Sequence, residues 1–165
     1  MQRQRPEGSF ITLIIKSKVE VPELIELRRG QIIAAAIELF GERGYHHTAI
    51  REVAKHADIS IGTIHQYVTD KEDVLFLALI EVLDSYLRRI PAALAGLTDS
   101  LQRFRAAVAA YCAVNDENTA ATVLAYRETA SLRKVRRNLI KQKETETNKV
   151  TAACIEDCIG GLFAK

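Results

Sequence analysis

The chain has 165 residues, 48% of them hydrophobic and 27% charged, with a formal net charge of +2. That length suits one domain or two small ones, and the charge falls well short of a histone-like chain, so any nucleic-acid binding must come from local clustering. No run of 18 apolar residues is present, which excludes a transmembrane helix, and the three cysteines form no disulfide framework.

Residues 1–22 read as a flexible N-terminal arm. Gln, Arg, Pro, Glu, Gly and Ser dominate the first nine positions. The run from Phe10 to Ile15 fits a strand or a sticky turn, and a basic arm carrying Arg3 and Arg5 could also reach a DNA minor groove. With no small-residue cleavage site after it, the run does not read as a signal peptide.

The spacing predicts a first helix from about Pro22 to Arg43, with Ile33, Ala36, Ile37 and Phe40 as its core stripe and Gly44 as its C-terminal cap. Arg28 and Arg29 lie near the start of this helix, where a cation opposes the dipole. A phosphate contact or a solvated face would account for them. His46 and His47 have no carboxylate or Cys at ligand spacing, so no metal site is expected.

Ile50, Val53, Ala54 and Ala57 mark a second helix, with Thr48 placed to cap it. Asp58 stands at a turn that favours a left-handed residue. Ser60 can cap a third helix running only to about Val68, with Ile64 inward. Such a short helix cannot stand alone. The pair fits a helix-turn-helix unit that reads a DNA major groove, or an ordinary helical hairpin in an all-α core. Asp70 opens a fourth, long helix whose apolar face includes Leu75, Leu79, Val82, Tyr86 and Ile90, and Pro91 is expected to end it.

These residues carry a family likeness. Phe40-Gly-Glu-Arg-Gly-Tyr45, Thr48, Ile50-Arg-Glu-Val-Ala54, Ser60-Ile-Gly-Thr-Ile64 and Tyr67-Val-Thr-Asp-Lys71-Glu-Asp-Val-Leu75 resemble, in order and spacing, the tetracycline-repressor (TetR) family. The likeness covers about Leu27 to Leu83. It implies an all-α protein: a three-helix helix-turn-helix DNA-binding head at 23–70, joined by a long helix to a helical ligand-binding and dimerisation body at 71–165. Carried over by position, Thr48 would cap helix two and touch phosphate, and Arg51 would reach a base edge or phosphate. Ser60, Ile61, Thr63 and His65 would face the groove, with Gly62 allowing close approach. Gln66 and Tyr67 would contact bases or backbone, and Lys71 would hold a phosphate. Gln pairs with adenine and Arg with guanine, while Tyr and Lys serve phosphates. Asp58 replaces the family's usual Gly, and His65 stands where Tyr is frequent.

Beyond Pro91 the likeness is weak. Leu101, Phe104, Val108, Tyr111 and Cys112 form one expected stripe, and Asn115 to Asn118 a polar break. A helix from Thr119 to Leu132 follows, then a basic run from Arg133 to Lys143 read as a solvated face. A last stripe holds Val150, Ala153, Cys154, Ile155, Cys158 and Ile159, closed by Gly160-Gly161. The cysteines read as buried or half-buried thiols in a reducing cytoplasm. Relatives continue with about two more helices that supply most of the dimer interface, so the body is expected to be incomplete. A ligand pocket is expected among Phe104, Val108, Tyr111, Cys112, Leu124 and Tyr126.

The resemblance implies double-stranded operator DNA and a small-molecule effector as partners, in a cytoplasmic homodimer with no membrane association and no cofactor. The favoured function is a ligand-responsive repressor of transcription. The alternative is a helical interaction or ligand-carrying protein that has lost DNA binding. With no nucleophile–base pair or glycine-rich phosphate loop, no enzyme is expected.

Overall fold

The computed structural model describes Ile15, residues 17–19 and residues 21–163. The described residues are all-α: α1 Pro22–Arg43, α2 Ile50–His56, α3 Ile61–Tyr67, α4 Lys71–Leu94, α5 Ser100–Glu117, α6 Thr119–Glu128, a 3-10 turn Thr129–Ser131, and α7 Lys134–Phe163. The chain divides into two compact units, residues 1–78 and 79–165, and α4 contributes to both. Arg3, Arg5 and the apolar run up to Ile14 lie outside the described residues, as does the side chain of Cys158.

In the first unit α1 packs on α2 and α3, and α2 packs on α3. Pro22 opens α1 with its fixed φ, and Glu23 complements the dipole. Gly44 closes the helix at φ 86°, its N–H returning to Phe40 O at 3.0 Å. The buried stripe of α1 runs through Ile25, Arg29, Ile32, Ala35, Ala36, Leu39 and Phe40. Ile33 and Ile37, expected in the core, are only half-buried. The run Ile32-Ile-Ala-Ala-Ala-Ile37 supports either of two adjacent stripes, and packing against α2 and α3 selects one.

Thr48 does not cap α2. The cap is Ala49, whose N–H donates to the Glu52 carboxylate at 2.7 Å. Thr48 is 1% exposed, its hydroxyl donating to Gly44 O at 3.0 Å. Asp58 adopts φ 54°, the only positive φ of a non-glycine among the described residues, and Ile59 N–H closes the turn onto Ala54 O. Ser60 caps α3 as expected, accepting from Thr63 N–H at 3.0 Å. Asp70 caps α4 by accepting from Asp73 N–H at 2.9 Å, and the Asp73 carboxylate accepts from Thr69 N–H at 2.6 Å.

The expected loose arm is docked where it is described. Ile15 is buried, and Lys18 N–H donates to Gln66 O at 2.8 Å. Arg29 corrects both readings offered for it: it is buried and donates to Ile15 O and Tyr67 O. Burial pushes its guanidinium below its ordinary pKa, while the Asp73 carboxylate acts in the opposite direction.

In the second unit Pro91 does not end α4, which continues to Leu94. A proline interrupts one turn of the ladder, and near the end of a long packed helix that loss is local. Gly96, at φ 78°, follows the true end. The polar break at Asn115 contracts to Asn118 alone, because α5 runs to Glu117. The helix after it ends at Glu128, where the 3-10 turn begins. The start of α5 lies against the end of α7: Gly161 stands where a Cβ would meet Ser100 Oγ at 2.7 Å. So α7 runs through Gly160 and Gly161 rather than closing there, and glycine suits the approach. On α5 the buried positions are Ala107 and Val114, while Leu101, Val108, Tyr111 and Cys112 are exposed. On α7, Cys154 is buried and Ile155 and Ile159 are exposed. The basic run is only partly solvated: Arg133, Lys134 and Lys141 are exposed, Arg136 and Arg137 are half-buried, and Lys143 pairs with Asp84 in a half-buried contact.

Candidate nucleic-acid interface

The seven residues of α3 divide sharply by angle. At 100° per residue, Ile61, Gly62, His65 and Gln66 fall within one arc, and all four are exposed. Ile64 and Tyr67, on the opposite side, are 0% and 3% exposed. Ile64 and Tyr67 make one side core, Thr63 is half-buried beside them, and the arc opposite is free surface. Ile61 remains 47% exposed, and the free arc also carries an imidazole and an amide. This is the chemistry that reads base edges: amide and imidazole for hydrogen bonds, an aliphatic group for a thymine methyl.

Ser60 and Thr63 sit at the N-terminal end, their hydroxyls 2.9 Å apart. Ser60 is exposed and Thr63 half-buried. A Cβ at Gly62 would meet nothing closer than Ser60 Oγ at 3.7 Å. The fold itself therefore has room for alanine there, and the bare backbone leaves room for an approaching molecule. Arg51, in the first turn of α2, is exposed, as is Lys55 in its last turn. Sequence reasoning passed over Lys55, because its periodicity marks only the outward side of α2.

Three of the expected DNA contacts are placed otherwise. Thr48 is core, and its buried hydroxyl already serves carbonyls. Tyr67 is core, with its carbonyl held by Arg29. Lys71 is half-buried: its ammonium donates to Tyr45 O at 2.7 Å and lies 4.3 Å from the centre of the Tyr45 ring. Each belongs to a partner 26 or more positions away, or to a turn whose path local spacing does not reveal. Nearby, His46 and His47 are exposed, and His56 reaches Glu38 at 2.8 Å. No group of three His, Cys, Asp or Glu among the described residues is arranged to hold a metal.

The second unit holds a cavity of about 470 Å³ among α4, α5, α6 and α7. Leu79, Val82, Leu83 and Ile140 form apolar walls, and Tyr86, Tyr111 and Tyr126 bring three aromatic rings. Tyr86 and Tyr111 stack with centroids 4.9 Å apart. Burial holds the Tyr86 phenol above its ordinary pKa, and the neighbouring Tyr111 and Tyr126 add to this. Lys141 and Glu144 also line the cavity. Of the six pocket residues expected from sequence, only Tyr111 and Tyr126 reach it. Phe104, Val108, Cys112 and Leu124 lie elsewhere on their helices, because the true wall of α5 is set by its rotation against α4 and α7. No described helix is long and apolar enough to cross a membrane.

Comparison with known proteins agrees with this geometry. The sequence model of the bacterial regulatory proteins of the tetR family matches residues 32–78, which span α2, α3 and their flanks. The chain is 50% identical over 151 residues to the HTH-type transcriptional regulator HbdR of Aromatoleum sp. (strain CIB), covering 92% of this chain and 66% of HbdR. It is 37% identical over 84 residues to the HTH-type transcriptional activator FasR of Mycolicibacterium smegmatis, covering 51% of this chain and 38% of FasR. The chain thus spans about two thirds of the first relative and less of the second. The crystal structure of a bacterial regulatory protein in the tetR family from Rhodococcus RHA1 superposes with a TM-score of 0.72 at 31% identity, over 79% of this chain and 68% of that one. A head with one exposed arc on a short capped helix, a helical second unit and these likenesses agree: the chain belongs to the tetR family of bacterial regulatory proteins.

Proposed function

We propose that the chain is a cytoplasmic, DNA-binding regulator of transcription whose α3 enters the major groove of an operator. The observation that carries this reading is the exposed arc of Ile61, Gly62, His65 and Gln66 on a helix whose opposite side buries Ile64 and Tyr67. Arg51 and Ser60 flank the arc as phosphate or base contacts. Two heads on a near-palindromic site require a homodimer, since each α3 reads one half-site. The regulatory signal is a small, largely apolar molecule in the cavity of the second unit, favouring one spacing of the two heads over another. Blocking transcription is the direction proposed. The likeness to HbdR, a transcriptional regulator by name, supports the general reading, and the likeness to an activator makes the direction a matter for a transcription assay.

The test is fluorescence anisotropy with the DNA upstream of the chain's own gene, across a salt series, against scrambled duplex. Selective binding with a steep salt slope is the expected result. Lys71→Ala is a poor probe, since Lys71 holds Tyr45. Arg51→Ala is a clean one, expected to weaken binding without loss of fold. Absence of binding at low salt on either duplex would overturn the proposal. A second reading, a helical interaction protein, rests on the exposed Leu101, Val108, Ile155 and Ile159. It predicts self-association with no salt-sensitive affinity for DNA.

A further inference from the structure

The last turn of any helix leaves carbonyls without intrahelical partners. In α3 two of these are satisfied from far away in sequence. Gln66 O accepts from Lys18 N–H at 2.8 Å and from Ser17 Oγ at 3.1 Å. Tyr67 O accepts from Arg29 Nε at 3.3 Å and Nη2 at 3.2 Å. The same Arg29 Nη2 donates to Ile15 O at 2.7 Å. Ser17 Oγ in turn accepts from Val19 N–H at 3.1 Å. Ile15 is 1% exposed, so this stretch is anchored by burial at one end and by hydrogen bonds to α3 at the other. A helix C-terminus carries partial negative charge, which would repel a phosphate. The Arg29 guanidinium and the N–H and O–H donors offset that charge here. Lys18 is exposed, as is Gln66, to which its backbone is hydrogen-bonded.

We infer that Ser17 and Lys18 form part of the DNA-reading surface: the Lys18 N–H and the Ser17 hydroxyl clamp the end of α3, and the Lys18 ammonium is an additional phosphate contact beside Gln66. The inference rests on the DNA-binding reading above. Ser17 is a positioning residue, acting through the Gln66 carbonyl. Lys18 is a direct contact, and as a point charge without base selectivity it serves every sequence alike.

The experiment is anisotropy with the full chain on operator and scrambled duplexes, over a salt series, comparing wild type, Lys18→Ala, Lys18→Arg and Ser17→Ala, with circular dichroism as the check on folding. Lys18→Ala should weaken binding to both duplexes by about 5- to 10-fold near 0.1 M salt and lower the salt slope by about one. Lys18→Arg should restore both. Ser17→Ala should weaken binding while leaving the slope unchanged. If wild type binds with a steep slope and Lys18→Ala matches it in affinity and slope, the phosphate contact is overturned and the DNA-binding reading stands. If wild type binds neither duplex at low salt, both fall together.

Discussion

Arg29 Nη2 bridges two main-chain carbonyls, Tyr67 O at 3.2 Å and Ile15 O at 2.7 Å, and so ties the end of α3 to the stretch before α1. Arg29 and Tyr67 are 38 positions apart and both buried. A forked cation can serve two acceptors at once where a lysine could serve them only as a point charge. The short α3 is held in place by this contact as well as by the buried Ile64.

Replacing Arg29 with Leu should therefore destabilise the first unit by about 2–4 kcal/mol, since two buried carbonyls lose a charged donor. Arg29→Lys should recover part of this. Urea unfolding followed by circular dichroism measures it, and a loss below about 0.5 kcal/mol would show that water replaces the guanidinium easily.

Thr48→Val keeps the shape of the side chain and removes its hydroxyl. The expected cost is about 1 kcal/mol, for the bond to Gly44 O. DNA affinity and its salt slope should stay unchanged. A reduced slope in this variant would return Thr48 to the list of phosphate contacts.

At Asp58 the left-handed backbone strains any residue with a Cβ, aspartate less than most. Asp58→Gly should stabilise the turn by about 0.5–1 kcal/mol, the relief of strain exceeding the entropy glycine loses on folding. Asp58→Val should do the reverse by a similar amount or more. Midpoints of thermal unfolding for the two variants should fall on opposite sides of the wild type.

The raised pKa of Tyr86 gives a pH signature. The folded state holds the phenol neutral to a higher pH than the unfolded state does, so its contribution is fully present below about pH 10 and is lost as pH rises through the folded value. The stability difference between wild type and Tyr86→Phe should be flat up to about pH 10 and turn against wild type above it. Urea midpoints from pH 8 to 11 test this. A difference constant across the whole range would mean that the phenol ionises in the fold as it does in the unfolded chain.

What the sequence by itself determined was local. Both ends of α1 and the starts of α3 and α4 were legible because Pro22, Gly44, Ser60 and Asp70 act on backbone groups within a few residues. The left-handed turn at Asp58 was legible for the same reason, and the succession of helices followed from apolar spacing. The family likeness concentrated in that same head. The tertiary structure decided everything that depends on a distant partner. It chose Ile32 and Leu39 over Ile33 and Ile37, since two neighbouring stripes of one helix are equally apolar until a second helix covers one. It gave Thr48 and Lys71 carbonyl partners within the head, and it buried Tyr67 and set Arg29 against carbonyls, because those partners lie across turns or tens of residues away. It carried α4 through Pro91 and placed Tyr86 and Ile140, rather than Phe104 and Val108, on the cavity wall. A helix's periodicity states that it has an inner face; only its rotation against its neighbours states which residues that face contains.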